Sequence, residues 1–181
     1  MIESDGELVR AARDGDTDAF GHLVRAYQGR LFGLVLMMVR EPAGAEDVTQ
    51  ETLLRAYRFL DDFDIKRPFY PWLAAIAVRL SQNWLRQHGR TVSREGTSLD
   101  QAPDPQTTDA ALHSLISDEQ GRRLWHAVAT LPSGERTATT MYYRDEMSVG
   151  DIALALGVTS STIKTLLSRA RRRLRGRLDH D

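Results

Sequence analysis

The stretch Ser148-Val149-Gly150-Asp151-Ile152-Ala153-Leu154-Ala155-Leu156-Gly157-Val158-Thr159-Ser160-Ser161-Thr162-Ile163-Lys164-Thr165-Leu166-Leu167-Ser168-Arg169-Ala170-Arg171-Arg172-Arg173-Leu174 has the spacing of a helix-turn-helix. Ser148 with Asp151 caps a first helix, Ala153 is small enough for a second helix to cross closely, and Gly157 permits the left-handed turn between them. Ile152, Leu156, Val158, Ile163, Leu166 and Leu167 supply the apolar contacts, and Thr159 is placed to cap the second helix. In that helix Ile163, Leu167, Ala170 and Leu174 fall on one face, leaving Ser161, Lys164, Thr165, Ser168, Arg171 and Arg172 on the other. Seven basic side chains and no acid lie between Lys164 and Arg177. Such a face suits a major groove, where it meets phosphates and base edges. A packed hairpin with a solvated arginine face has the same periodicity, but cap, glycine turn and unbroken positive run coincide less often.

Upstream of this motif helical periodicity dominates and strand-like alternation is nearly absent, so the chain reads as all-α. Ser4-Asp5-Gly6-Glu7 has capping-box spacing and opens a short helix through Asp14. A long amphipathic helix follows from about Asp18 to Arg40, and Pro42 ends it. A third runs from about Ala43 to Leu60, with Glu46 and Asp47 in its first turn, where the helix dipole favours anions. Asp61, Asp62, Phe63 and Asp64 form a loop, and Pro68 and Pro71 delimit the start of a fourth helix from about Trp72 to Gln87. From Arg90 to Thr108 the residues are mostly Ser, Thr, Gly, Pro, Asp and Gln, a linker composition. A second helical module begins near Asp109, passes Pro132 into a helix to about Arg144, and closes with the two helices of the motif. Each module is expected to bury its own small core.

The chain has 181 residues, which allows one domain or two small ones. Its net charge of −1 conceals blocks. Residues 1–64 hold 7 basic and 13 acidic side chains, 65–94 hold 6 basic and none acidic, 95–120 hold 6 acidic and none basic, and 121–181 hold 11 basic and 6 acidic. Two basic blocks separated by an acidic one suggest two surfaces for a polyanion. The longest apolar stretch, Leu31 to Val39, is interrupted by Gly33 and is far shorter than the ~20 residues that span a bilayer. No membrane insertion is expected, and the acidic N-terminus, unlike a secretory signal, points to the cytoplasm. With no cysteine, thiolate zinc and disulfides are excluded. The histidines His22, His88, His113, His126 and His180 are scattered, and the carboxylates Asp61, Asp62 and Asp64 lack a facing ligand, so no metal or cofactor is expected.

Three segments, in order, resemble bacterial RNA polymerase sigma factors of the extracytoplasmic-function group: Ala45-Glu46-Asp47-Val48-Thr49-Gln50-Glu51, then Trp72-Leu73-Ala74-Ala75-Ile76-Ala77, then the helix-turn-helix with Lys164 and Arg169-Ala170-Arg171. The resemblance covers nearly the whole chain. It implies two small helical domains joined by a flexible linker: residues 1–90 for core polymerase and the minus-10 element, a linker over 91–108, and a helix-turn-helix domain over 109–181 for the minus-35 element. It also implies that Glu46, Asp47, Gln50 and Glu51 dock on core RNA polymerase, as an acidic stripe suits a basic partner helix. In Lys66-Arg67-Pro68-Phe69-Tyr70-Pro71-Trp72, bases and aromatics stand side by side in a proline-stiffened loop that can hold unpaired bases. Trp72 is in register with Ile76 and Leu80 and reads as core, whereas Phe69 and Tyr70 fit either core or base contact.

The implied minus-10 set is thus Lys66, Arg67, Phe69, Tyr70, Arg79, Asn83 and Arg86. Arg79 and Asn83 depart from the family's usual Asn and Asp, which alters the donors and acceptors offered to DNA. The minus-35 set is Ser160, Ser161, Thr162, Lys164, Thr165, Ser168, Arg169, Arg171, Arg172 and Arg173. The expected partners are core RNA polymerase, promoter DNA and an anti-sigma factor, and the expected activity is promoter recognition and melting rather than catalysis. Three rivals are weaker. A sigma mimic that titrates an anti-sigma factor has no need of Lys164 and the arginine run; a helical phosphohydrolase lacks its His-Asp metal pair; a dimeric repressor leaves the acidic stripe unexplained.

Overall fold

A computed structural model describes residues 4–94 and 119–178, so most of the expected linker and the start of the second module lie outside the described residues. The elements in order are α1 (Asp5–Arg13), α2 (Thr17–Val39), α3 (Pro42–Arg58), a 3-10 turn (Leu60–Asp62), α4 (Phe69–Arg94), α5 (Glu119–Ala129), α6 (Ser133–Thr139), a π-turn (Thr140–Arg144), α7 (Val149–Leu156) and α8 (Ser160–Leu178). The described residues contain no strand, as the periodicity predicts.

The helix starts follow local chemistry. Ser4 and Glu7 form the expected capping box, the Ser4 N–H donating to Glu7 Oε2 at 2.8 Å. Glu41 caps α3 by accepting from the N–H groups of Ala43 at 3.1 Å and Gly44 at 2.6 Å, with Pro42 at the first position, where its missing N–H costs no bond. The first turn of α3 therefore holds no acid, and Glu46 and Asp47 lie one turn further in than the sequence predicts. Pro71 falls in the first turn of α4, which the same rule tolerates, so α4 starts at Phe69 rather than near Trp72. At its other end α4 runs past Gln87 to Arg94, since nothing from Arg90 to Arg94 is a glycine or proline stop.

The packing departs from the expectation that each module buries its own core. One apolar cluster joins Leu31, Val35, Leu36 and Val39 of α2 to Val128, Leu131, Ala170 and Leu174 of the second half. The other joins Leu34, Met38, Tyr70, Ala74 and Val78 to Met141, Ile152, Ile163 and Leu167. Polar bonds cross as well: the buried Arg136 donates from Nε to the Met37 carbonyl at 2.5 Å and from Nη1 to the Leu131 carbonyl at 2.8 Å. Burial lowers the Arg136 pKa to about 10, so the guanidinium stays charged near neutrality.

Close approach of helices depends on small residues. A Cβ at Gly44 would lie 2.5 Å from Cζ2 of Trp84 and 2.6 Å from Glu41 Oε2, so α3 and α4 touch only because Gly44 has none. Gly29, by contrast, faces open space within α2. Both substitutions to Ala gain roughly 1 kcal/mol of helix propensity, but overpacking at Gly44 costs ~1–3 kcal/mol. Gly44→Ala is therefore expected to lower the urea midpoint and Gly29→Ala to raise it; equal shifts would mean that the Trp84 contact is not tight.

Candidate nucleic-acid interface

The helix-turn-helix forms as its spacing predicts. Ser148 Oγ accepts from the Asp151 N–H at 3.1 Å, Gly157 turns in the left-handed region at φ 67°, and Thr159 Oγ1 accepts from the Thr162 N–H at 3.2 Å. Ile152, Ile163, Leu167 and Ala170 are buried between α7 and its neighbours. On α8 the side chains of Ser160, Ser161, Thr162, Lys164, Thr165, Ser168, Arg169, Arg171, Arg172 and Arg173 are all exposed. Several are already engaged: Thr165 donates to the Ser161 carbonyl at 3.0 Å, Thr162 shares a hydrogen bond with Thr159 at 2.9 Å, and Arg171 donates to the Leu167 carbonyl at 3.3 Å. Ser168, Arg171, Arg172 and Arg175 surround a shallow hollow of about 300 Å³ with three guanidinium groups. Clustered guanidiniums of that kind hold phosphates.

On α3, Ala45, Val48, Thr49, Thr52 and Ala56 face inward, which leaves Glu46, Asp47 and Gln50 exposed on the opposite side. Glu51 is half-buried and pairs with Arg55 Nε at 2.6 Å, so part of the acidic stripe is already neutralised within the helix. Leu54, Tyr57 and Phe59 continue this surface with large apolar side chains 53%, 44% and 54% exposed, and Tyr57 rests against Phe20. Sequence reading missed this apolar edge. The adjacent Leu53 and Leu54 were its only signal, because neighbours on a helix point ~100° apart and both cannot face one core.

The basic loop is held from behind by Arg13. Its guanidinium donates to the Leu60 carbonyl at 3.1 and 2.7 Å and to the Phe63 carbonyl, and lies 3.8 Å from Asp61. No sequence signal pointed to Arg13, whose partners lie about fifty positions away. Asp64 then caps the turn by accepting from the Lys66 N–H at 3.0 Å, and Lys66 and Arg67 stand exposed. Further along α4, Arg79, Asn83 and Arg86 are exposed on one side, with Arg86 hydrogen-bonded to Asn83. Phe69 and Tyr70 are 1% and 3% exposed. Phe69 packs among Phe63, Trp72 and Tyr27. Tyr70 lies under the Arg30 guanidinium, 3.7 Å from its ring centroid, and donates to Asp145 Oδ2 at 2.8 Å. Burial and the Asp145 charge push the Tyr70 hydroxyl well above its ordinary range, so it remains a donor.

Comparison with known proteins settles the family. Residues 23–91 match Sigma-70 region 2, and residues 121–174 match Sigma-70 region 4. The ECF RNA polymerase sigma factor SigW of Bacillus subtilis is 30% identical over 179 residues, covering 94% of each chain. The chain belongs to the extracytoplasmic-function sigma factors. The probable RNA polymerase sigma factor RfaY of Xanthomonas campestris is 31% identical over 173 residues; this chain spans 43% of its length. Among solved structures, the sigma factor RpoE of Bartonella quintana, in complex with the anti-sigma factor NepR, is 25% identical, with a TM-score of 0.72 over 90% of this chain and 98% of that one. No helix among the described residues is long and apolar enough to cross a membrane, and none of their side chains gather into a metal-binding group.

Two parts of the expected DNA surface of this sigma factor sit differently from the sequence reading. Phe69 and Tyr70 belong to the core in this conformation, Phe69 among Tyr27, Phe63 and Trp72 of the first half and Tyr70 against Met141, Asp145 and Ile152 of the second, and neither ring is open to a base. Arg173 Nε lies 3.1 Å from Glu135 Oε2, a carboxylate 5% exposed, at ion-pair distance. Removing one member of such a pair leaves the other charge buried, at a cost of ~1–3 kcal/mol. Arg173→Ala is thus expected to lower the thermal midpoint measurably, and Glu135→Gln in the same chain to restore most of the loss; no change in either variant would return Arg173 to the solvent-facing set.

Proposed function

We propose that this sigma factor meets promoter DNA through two separate cationic surfaces and core RNA polymerase through the outer face of α3. The observation that carries the proposal is the coincidence of the two family regions, in order along the chain, with exposed side chains of matching charge. In this reading Glu46, Asp47, Gln50 and Glu51 dock on polymerase. Lys66 and Arg67 of the loop and Arg79, Asn83 and Arg86 of α4 contact the minus-10 element, joined by Phe69 and Tyr70 once these are uncovered. On α8, Ser161, Lys164 and Thr165 near the N-terminus lie where a recognition helix reaches base edges. Ser160, Thr162, Ser168, Arg169, Arg171 and Arg172 then serve mainly the phosphates, with Arg173 contributing charge while holding Glu135. Residues 1–90 and 109–181 act as the two functional domains, with 91–108 between them.

The chain works as a non-catalytic subunit in the cytoplasm, beside its polymerase. An anti-sigma factor is its expected regulator; the relative RpoE is solved with one. The direct test is transcription in vitro with core polymerase on a genomic fragment library, where specific start sites are expected only when the chain is present.

Two variant sets separate the surfaces. Replacing Glu46, Asp47 and Glu51 together by Lys is expected to abolish co-elution with core polymerase while leaving circular dichroism unchanged, since charge complementarity governs such encounters. On α8, loss of a base contact costs ~1–3 kcal/mol at one position, whereas loss of a phosphate contact weakens all sequences and flattens the logarithmic salt slope by about one. Lys164→Ala is expected to change which upstream base is preferred in a binding-site selection, and Arg172→Ala to weaken binding without changing preference. Identical preferences for Lys164→Ala and the parent would remove Lys164 from the readers.

A further inference from the structure

Helix α1 carries none of the residues assigned above and precedes the part of the chain that matches Sigma-70 region 2. It nevertheless runs alongside the loop that presents Lys66 and Arg67. Near its start a Cβ at Gly6 would stand 3.7 Å from the Ile65 carbonyl, and at its end Arg13 reaches Leu60 and Phe63. The helix is itself anchored: Leu8, Val9 and Ala12 are buried in the same cluster as Phe63, and Asp5 accepts from the Tyr27 hydroxyl at 2.5 Å.

One guanidinium spans the base of the loop. Arg13 Nε and Nη2 donate to the Leu60 carbonyl at 3.1 and 2.7 Å, and Nη2 also reaches the Phe63 carbonyl, so the fork grips the first residue of the 3-10 turn and the residue that follows it. The second bond has the longer reach. The Phe63 carbonyl and the Cα of Asp64 belong to one planar peptide unit, so holding the carbonyl fixes where Asp64 begins. Asp64 then sets its successors: its side chain accepts from the Lys66 N–H at 3.0 Å, and its carbonyl accepts from the Arg67 N–H at 2.9 Å. The Phe63 ring holds the same segment from the other side, buried against Phe69 and Trp72 at centroid distances of 5.4 and 5.1 Å. Position thus passes from α1, through Phe63 and Asp64, to the two exposed cations.

Charge alone does not account for this arrangement. Asp61 Oδ1 lies 3.8 Å from Arg13 Nε and its side chain is 87% exposed, a weak tether beside two backbone carbonyls within hydrogen-bond reach. A lysine would supply the same charge as a point. It could not grip both carbonyls with one planar fork.

We infer that Arg13 is a positioning residue for promoter opening: by holding the Phe63 carbonyl it fixes the path of the loop, and so the place at which Lys66 and Arg67 meet the minus-10 element. The inference rests on the assignment of those two cations to that element. A supporting side chain matters there because a contact set about 1 Å loose no longer works as a contact.

The test uses the full chain with core polymerase on a promoter recovered by transcription from the genomic fragment library, and follows opening by the permanganate reactivity of unpaired thymines. Lys66→Ala with Arg67→Ala is expected to slow opening about tenfold, as for loss of a DNA contact. Arg13→Ala and Arg13→Lys are each expected to slow it to a similar extent, in proteins whose circular dichroism and co-elution with core polymerase match the parent. Asp64→Ala leaves Arg13 in place and cuts the next link, and it carries the test should Arg13→Ala not fold. It too is expected to slow opening, although loss of an acid beside DNA would by charge alone favour it. Adding Arg13→Ala to the Lys66 and Arg67 pair is expected to slow opening no further, because groups that act through one element are not additive. Parent-like opening in folded Arg13→Ala or Asp64→Ala, full rescue by Arg13→Lys, or a further loss of the same size in the combined variant would overturn the role of Arg13. Parent-like opening in the Lys66 and Arg67 pair would instead overturn the assignment of the loop to DNA.

Discussion

The C-terminal half of α2 has no polar side. Leu31 and every residue from Gly33 to Val39 are buried, so this segment must be covered all round rather than along one stripe. Helices α3 and α4 of the first half cannot enclose it alone, and the second half supplies the remaining wall through Val128, Leu131, Met141 and Ile163. The merging of the two expected cores follows from this one requirement. So does the use of buried polar groups at the seam. Arg136 and Arg144 each donate to a backbone carbonyl of α2, at Met37 and Arg30.

Local chemistry was legible in the sequence, and juxtaposition was not. The capping box at Ser4, the Ser148 and Thr159 caps and the Gly157 turn depend on residues within three or four positions of one another, and all form as their spacing predicts. The outward face of α8 was legible for the same reason, since 3.6-residue periodicity is a property of one helix. Arg173 read as one more cation in a run because its partner, Glu135, belongs to another helix. Phe69 and Tyr70 were ambiguous because their burial depends on distant partners, Tyr27 and Phe63 for the one and Asp145 and Ile152 for the other. The stretch from Leu31 to Val39 is too short for a membrane, yet its demand for a second covering layer is plain in the residues.

The charge blocks acquire a structural meaning in this arrangement. The acidic first block is not spread evenly: Glu46, Asp47 and Gln50 lie exposed on α3, while Asp61, Asp62 and Asp64 stand beside the basic loop and help shape it. The two basic blocks, in α4 and α8, lie on opposite halves joined by residues outside the described set, and Lys66, Arg67, Arg79 and Arg86 of the one are exposed like Lys164, Arg169, Arg171 and Arg172 of the other.

The π-turn at Thr140–Arg144 is equivalent to one residue inserted into a helix. Deleting a single residue there would restore ordinary α-helical closure and rotate the downstream segment by ~100° about the helix axis, turning Arg144 and Asp145 away from α2. The helix-turn-helix beyond it would keep its own caps and its own DNA-facing side chains. A length change of one codon, rather than any substitution, is therefore the shortest mutational path to a chain whose two halves no longer meet through Arg144 and Asp145.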